Sequence, residues 1–152
     1  MTAEDLKRRP VIYVENVVQG MQDYKSTIVS MSGTEACEYF CSQRILRGGK
    51  GVWVDFYLFR LRPEETRRVL SLLNPEEGEY LRELEKKVRT APDPDSDIIF
   101  EADESLLQII TKLNEKEALF STVYLEPAFQ DGKAYTWWGN YGKQYVVFES
   151  VE

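Results

Sequence analysis

The stretch AYTWWGNYGKQYVVFE, residues 134–149, decides the fold. It holds six aromatic residues, five of them flanking a Gly-Asn-Tyr-Gly centre that contains the sixth, and on each side of that centre large side chains alternate with their neighbours at the period of a β-strand. Two such runs joined by a glycine-containing turn predict a closing hairpin, with Tyr141 exposed at the tip of a four-residue loop over residues 139–142. Rings fall on both faces of the pair. One face is expected to cover a core. The other is left for a helix, a second copy of the chain or a binding partner, so Trp137 and Trp138 are open to either role.

Working back from the hairpin, ALFSTVYLEP (118–127) is a further strand. The last three strands therefore follow one another without crossover helices, which argues for antiparallel pairing. GVWVDFYLFRL (51–61) is apolar on both alternating faces, the pattern of a central strand covered on both sides. VIYVENVV (11–18) and STIVSM (26–31) are rich in β-branched residues and are read as two more strands, and Ile98 to Phe100 as a short one.

Helix signals lie between these strands. Ser32 stands three residues before Glu35, the capping-box spacing, and starts a helix over 33–46 that Gly48 and Gly49 stop. Ala36, Cys37, Phe40, Cys41 and Arg44 share one face of it, which makes the cysteines small core residues and not a redox pair. Pro63 opens a helix to about residue 73. Asn74, Pro75 and Glu77 open the next, and Asp103 caps one in which Leu106, Leu107, Ile109, Ile110 and Leu113 are the buried side. The whole is an α+β domain, with a mainly antiparallel sheet packed by about four helices. At 152 residues it is one domain, preceded by a flexible segment over residues 1–9.

Composition removes several chemistries. The chain contains no histidine and only two cysteines, so His-dependent triads, structural zinc sites and thiol catalysis lack their parts, and no cofactor or metal is expected. RGGKGVW (47–53) has neither the spacing nor the Ser/Thr of a phosphate-binding loop. No apolar run is long enough to cross a bilayer, since even residues 52–59 carry Asp55. No secretory leader is visible at residues 1–16, and a cytoplasmic protein is expected. Nineteen basic against twenty-six acidic residues leave a net charge of −7, a field that repels nucleic acid and anionic lipid and attracts a basic partner.

Three groups of residues are candidates for binding. Asp93, Asp95, Asp97 and Glu104 follow the carboxylate spacing of a calcium loop, but Ile98 occupies the position where glycine is required, and Pro94 favours extended backbone, so a solvated loop is the simpler reading. Arg44, Arg47 and Lys50 form a basic stretch without an acidic neighbour, explained either by a helix C-terminus or by an anionic contact. Trp138 and Tyr141 belong to the hairpin. From these follow two expectations. The first is a small, acidic, non-enzymatic binding protein of the inhibitor, immunity or adaptor type, meeting a macromolecular partner at Trp138 and Tyr141. The second is a small-molecule or catalytic domain with an aromatic pocket of Trp53, Tyr57, Trp137 and Trp138, in which Arg44 or Lys50 holds an anion.

Overall fold

The computed structural model describes residues 1–90 and 98–151. Six helices and six strands follow in the order α1 (Ala3–Lys7), α2 (Val17–Asp23), β1 (Lys25–Ser30), α3 (Gly33–Leu46), β2 (Val52–Asp55), α4 (Pro63–Leu70), α5 (Pro75–Arg89), β3 (Ile99–Glu101), α6 (Glu104–Glu115), β4 (Thr122–Leu125), β5 (Tyr135–Asn140) and β6 (Gln144–Glu149). The strands form one sheet in the order β1-β6-β5-β4-β2-β3, and every described pairing is antiparallel. The fold is α+β, with the hairpin of β5 and β6 at its C-terminal end.

Local sequence explains the long helices. In α3 the Ser32 hydroxyl accepts from Glu35 N at 3.1 Å while the Glu35 carboxylate accepts from Ser32 N at 3.2 Å. Asn74 and Glu77 exchange the same two bonds at the start of α5. Each such cap is worth about 1 kcal/mol. At the other end of α3 the chain turns through positive φ at Gly48 and Gly49, and Gly49 N donates to Arg44 O at 2.9 Å, closing the last turn.

One face of the sheet carries α3 and α6. Val52, Val54, Val123, Leu125, Trp137 and Tyr145 point to this side and form one buried cluster with Phe40 of α3 and the leucines and isoleucines of α6. The Phe40 ring meets Trp137 and Tyr145 edge-on, with centroids at 5.4 and 5.6 Å. Trp137 is thus core. Cys37 and Cys41 are half-buried with sulfurs 4.0 Å apart. Burial first, then the neighbouring Cys37, pushes the Cys41 thiol up to about 11, so it stays protonated and unreactive at neutral pH.

The opposite face is covered by residues that the hydrophobic pattern assigned differently. Residues 1–9 are not a flexible lead: Thr2 and Asp5 form a capping box around α1, and Leu6 is fully buried beside Ile99 and Tyr124. Residues 11–18 are not a strand either. Ile12 and Val14 are buried against Val146 and Phe148, but their carbonyls accept from side chains and not from a neighbouring strand. Thr136 Oγ1 donates to Ile12 O at 2.5 Å and Tyr124 Oη to Val14 O at 3.2 Å. Asn16 then accepts from Gln19 N at 2.9 Å and caps α2, which ends the extended run.

Two further differences concern strands. The apolar run at 51–61 is a strand only to Asp55, and it lies next to the edge strand β3 rather than at the centre of the sheet. Beyond Asp55 the chain bends so that Leu58 and Phe59 pack into the core through a single 3-10 turn, which a straight strand would carry past it. α4 stops at Leu70 rather than at residue 73, in successive tight turns over 71–73.

The N-terminal segment is fastened by Glu126. Its carboxylate accepts from Arg9 Nε at 2.8 Å, from Arg9 Nη2 at 3.2 Å and from Trp53 Nε1 at 2.6 Å, and its backbone oxygen accepts from Arg47 Nε at 2.6 Å. Burial pushes Glu126 upward, but the bonds from Arg9 and Trp53 outweigh it and hold the carboxyl below its ordinary value. Glu126→Ala leaves the indole N–H without its acceptor and is expected to cost about 1–3 kcal/mol in urea unfolding. Arg9→Ala, which removes the exposed partner, is expected to cost less than about 1 kcal/mol in the same measurement.

Candidate functional site

A cleft of about 250 Å³ opens where the N-terminal segment leaves the second face of the sheet. β2, β4 and β5 end there together. Asp55 is the last residue of β2. By the sheet register it shares its face with Trp53, Thr122, Tyr124 and Trp138. Tyr13 and Glu15 approach from the N-terminal segment, Tyr57 from the turn after β2, and Phe120 and Tyr141 close the end beside the hairpin loop.

Asp55 is only 8 % exposed, and its Oδ1 accepts from Thr122 N at 2.5 Å. Burial pushes its carboxyl up to about 7, against the partial compensation of the Thr122 bonds. No lysine or arginine acts on it among the described residues. The surrounding phenols respond to the same environment: burial, followed by the Asp55 charge, pushes Tyr57 up to about 12, and burial raises Tyr124 and Tyr13. Tyr13 and Tyr124 stack, with centroids 5.9 Å apart and planes at 4°. Ser121, also lining the cleft, is 5 % exposed, and its hydroxyl has no hydrogen-bond partner among the described residues.

The hairpin is built tightly against this end. Gly139 lies within β5, not in the loop, and pairs with Tyr145. A Cβ there would stand 2.2 Å from Asn114 Oδ1 of α6 and 2.9 Å from Ser121 O, so only glycine lets the strand pass. The loop is consequently three residues, 141–143, with Lys143 in the left-handed region at φ 58°. Tyr141 is 65 % exposed, and its ring packs edge-on against Phe120 at 4.7 Å. Trp138 is half-buried on the face opposite Trp137, packed beside Val146 and Phe148 and lining the cleft.

The structure brings Trp138, Tyr141 and Tyr57 together at one cleft. It does not bring Trp137 there, since that ring faces α3, nor Trp53, whose indole is held by Glu126. The basic stretch lies elsewhere. Arg44 Nε donates to Ala102 O at 2.9 Å, Arg47 binds Glu126 O and Gln43, and Lys50 is exposed beyond the end of α3. Of the calcium-loop candidates, Asp93, Asp95 and Asp97 lie outside the described residues, and Glu104 sits in the first turn of α6. Among the described residues, no three His, Cys, Asp or Glu side chains are grouped to hold a metal, and no helix is long and apolar enough to cross a membrane.

Asp55, Tyr13 and Tyr124 were not singled out by the sequence as site residues. The available signal was Asp55 itself, the one charged residue in the apolar run 52–59. Compared with protein families, with curated proteins and with solved structures, the chain matches none. The chemistry of the site follows from its own geometry: an aromatic cleft with a buried carboxylate that has neutral donors and, among the described residues, no cation.

Gly139→Ala is expected to destabilise the protein by about 1–3 kcal/mol in urea unfolding, the cost of overpacking a buried contact. For Asp55 the folded protein binds the proton more tightly than the unfolded chain, so the stabilisation is full below the unfolded value of 3.8 and is lost as pH rises to about 7. Unfolding wild type and Asp55→Asn in parallel across that window is expected to show the variant gaining with rising pH, up to about 4 kcal/mol, at about 1.4 kcal/mol for each pKa unit.

Proposed function

We propose that the chain is a small acidic binding protein, without catalytic activity of its own, that contacts a basic protein partner at the end of the sheet where the hairpin loop and the cleft meet. The observation that carries this reading is Tyr141, 65 % exposed on a short, well-packed loop beside a cleft whose carboxylate has no cation among the described residues. Exposed tyrosine and tryptophan contribute large contact areas with little loss of side-chain freedom, which suits them to the centre of an interface. The net charge of −7 adds a long-range attraction for positively charged partners.

An anion-binding pocket has less support. The guanidinium groups of Arg44 and Arg47 are both committed to backbone carbonyls, and none of the described residues lining the cleft is basic. The test is affinity capture from lysate of the source cells with wild type and with Tyr141→Ala, a change at an exposed ring that leaves the core intact. Wild type is expected to retain one protein in stoichiometric amount, less of it as salt screens the charges, and Tyr141→Ala to lose it. Equal retention by both proteins, or none by either, overturns the reading.

A further inference from the structure

The cleft over Asp55 has the properties of a site that lacks its counter-ion. Desolvating an ionised carboxylate is costly unless a cation or several donors meet it. Here the donors are neutral groups, the backbone and side chain of Thr122 and the backbone N–H of Asp55 itself, which offset burial only in part, and no lysine or arginine among the described residues acts on the carboxylate. The cleft is lined by Tyr57 and Trp138 and by the stacked pair Tyr13 and Tyr124, and aromatic rings attract cations at short range. The buried Ser121 hydroxyl adds an unused hydrogen-bonding group. At about 250 Å³ the space falls below the roughly 300–1,000 Å³ of pockets for larger ligands, and it suits a group the size of one side chain.

We propose that this cleft is a cation-binding site, taking a single organic guanidinium or ammonium head between the tyrosine rings and onto the Asp55 carboxylate. In the assembly this head is an arginine or lysine side chain of the basic partner, and in that respect the inference rests on the proposed function. The carboxylate and the rings act together: an anion meets uncompensated negative charge, and a neutral group leaves the carboxylate unpaired. The charged and titratable groups around Asp55 are Tyr13 and Glu15 of the N-terminal segment, Tyr57 after β2, Tyr124 of β4, and Tyr141 of the hairpin loop. On that segment Lys7 sits over the Tyr13 ring at 4.8 Å and is paired with Glu4.

The test is a titration of the full chain with methylguanidinium, tetramethylammonium, N-acetyl-arginine amide and a Gly-Arg-Gly peptide, followed by tryptophan fluorescence and amide NMR shifts. N-acetyl-citrulline amide is the uncharged control. Saturable binding of at least one cation, about tenfold or more tighter than citrulline, is expected above the Asp55 value of about 7, weakening below it as the carboxylate takes its proton. Asp55→Asn is expected to remove the preference for the charged probe. Tyr57→Leu, at a ring 38 % exposed, provides a second variant that leaves the buried carboxylate in place and is expected to weaken binding several-fold.

Peptide bound more tightly than methylguanidinium identifies a protein side chain as the occupant. Methylguanidinium bound with the peptide excluded identifies a free small cation. No saturable response to any cation, an equal response to citrulline, or cation binding indifferent to both variants overturns the site. Because these probes need no partner, failed capture with intact cation binding removes the protein partner alone, and successful capture without cation binding removes the cleft alone.

Discussion

Glu126 joins four parts of the chain at one residue: Arg9 from the N-terminal segment and Trp53 from β2 through its carboxylate, Arg47 from the end of α3 through its backbone oxygen, and β4, which it directly follows. A six-stranded sheet with helices on one face leaves the other face apolar and in need of cover. Here the cover is a segment without a long helix or a ladder of its own. It stays in place through the Arg9–Glu126 ion pair and the indole bond at one end, and through the Thr136 and Tyr124 hydroxyls further along. The cleft exists because that cover stops short of the strand ends.

The same arrangement explains why a charged side chain lies at the end of an apolar strand. β2 is followed by a bend that carries Leu58 and Phe59 into the core, and the bend places Asp55 against the first residue of β4. An apolar residue could fill that place but could not receive the Thr122 N–H, which would then be buried without a partner. The carboxylate therefore satisfies the sheet edge on one side while it faces the aromatic cleft on the other. One residue thus serves both the sheet edge and the lining of the cleft, and its raised pKa reflects its burial there.

Much of this was legible where the determinants are local. Ser32 with Glu35, Asn74 with Glu77, and Asp103 each fixed the start of a helix from residues a few positions apart, and the aromatic alternation after residue 134 fixed the hairpin. Where the determinants are distant, the same patterns misled. Ile12 and Val14 alternate as a strand would, yet their acceptors are satisfied by hydroxyls from β4 and β5 that no local pattern reveals. Trp137 and Trp138 are adjacent in sequence and lie on opposite faces of the sheet, so their roles separate only when the helices are in place. Arg47 has the position of a helix-terminal cation, but Glu126, which engages it from the far side of the sheet, is seventy-nine residues away.

The pairing of β1 with β6 has a kinetic consequence. These strands stand near opposite ends of the chain, so the first strand to be synthesised finds its ladder partner only when the last is complete. Contacts of such long sequence separation slow folding and leave strand edges open in the interval. β1 is suited to waiting: Lys25, Ser26, Thr27 and Ser30 are polar, and five of its six residues are exposed even in the finished sheet. With Ile28 and Val29 as its only apolar side chains, it is mostly solvated until β6 arrives.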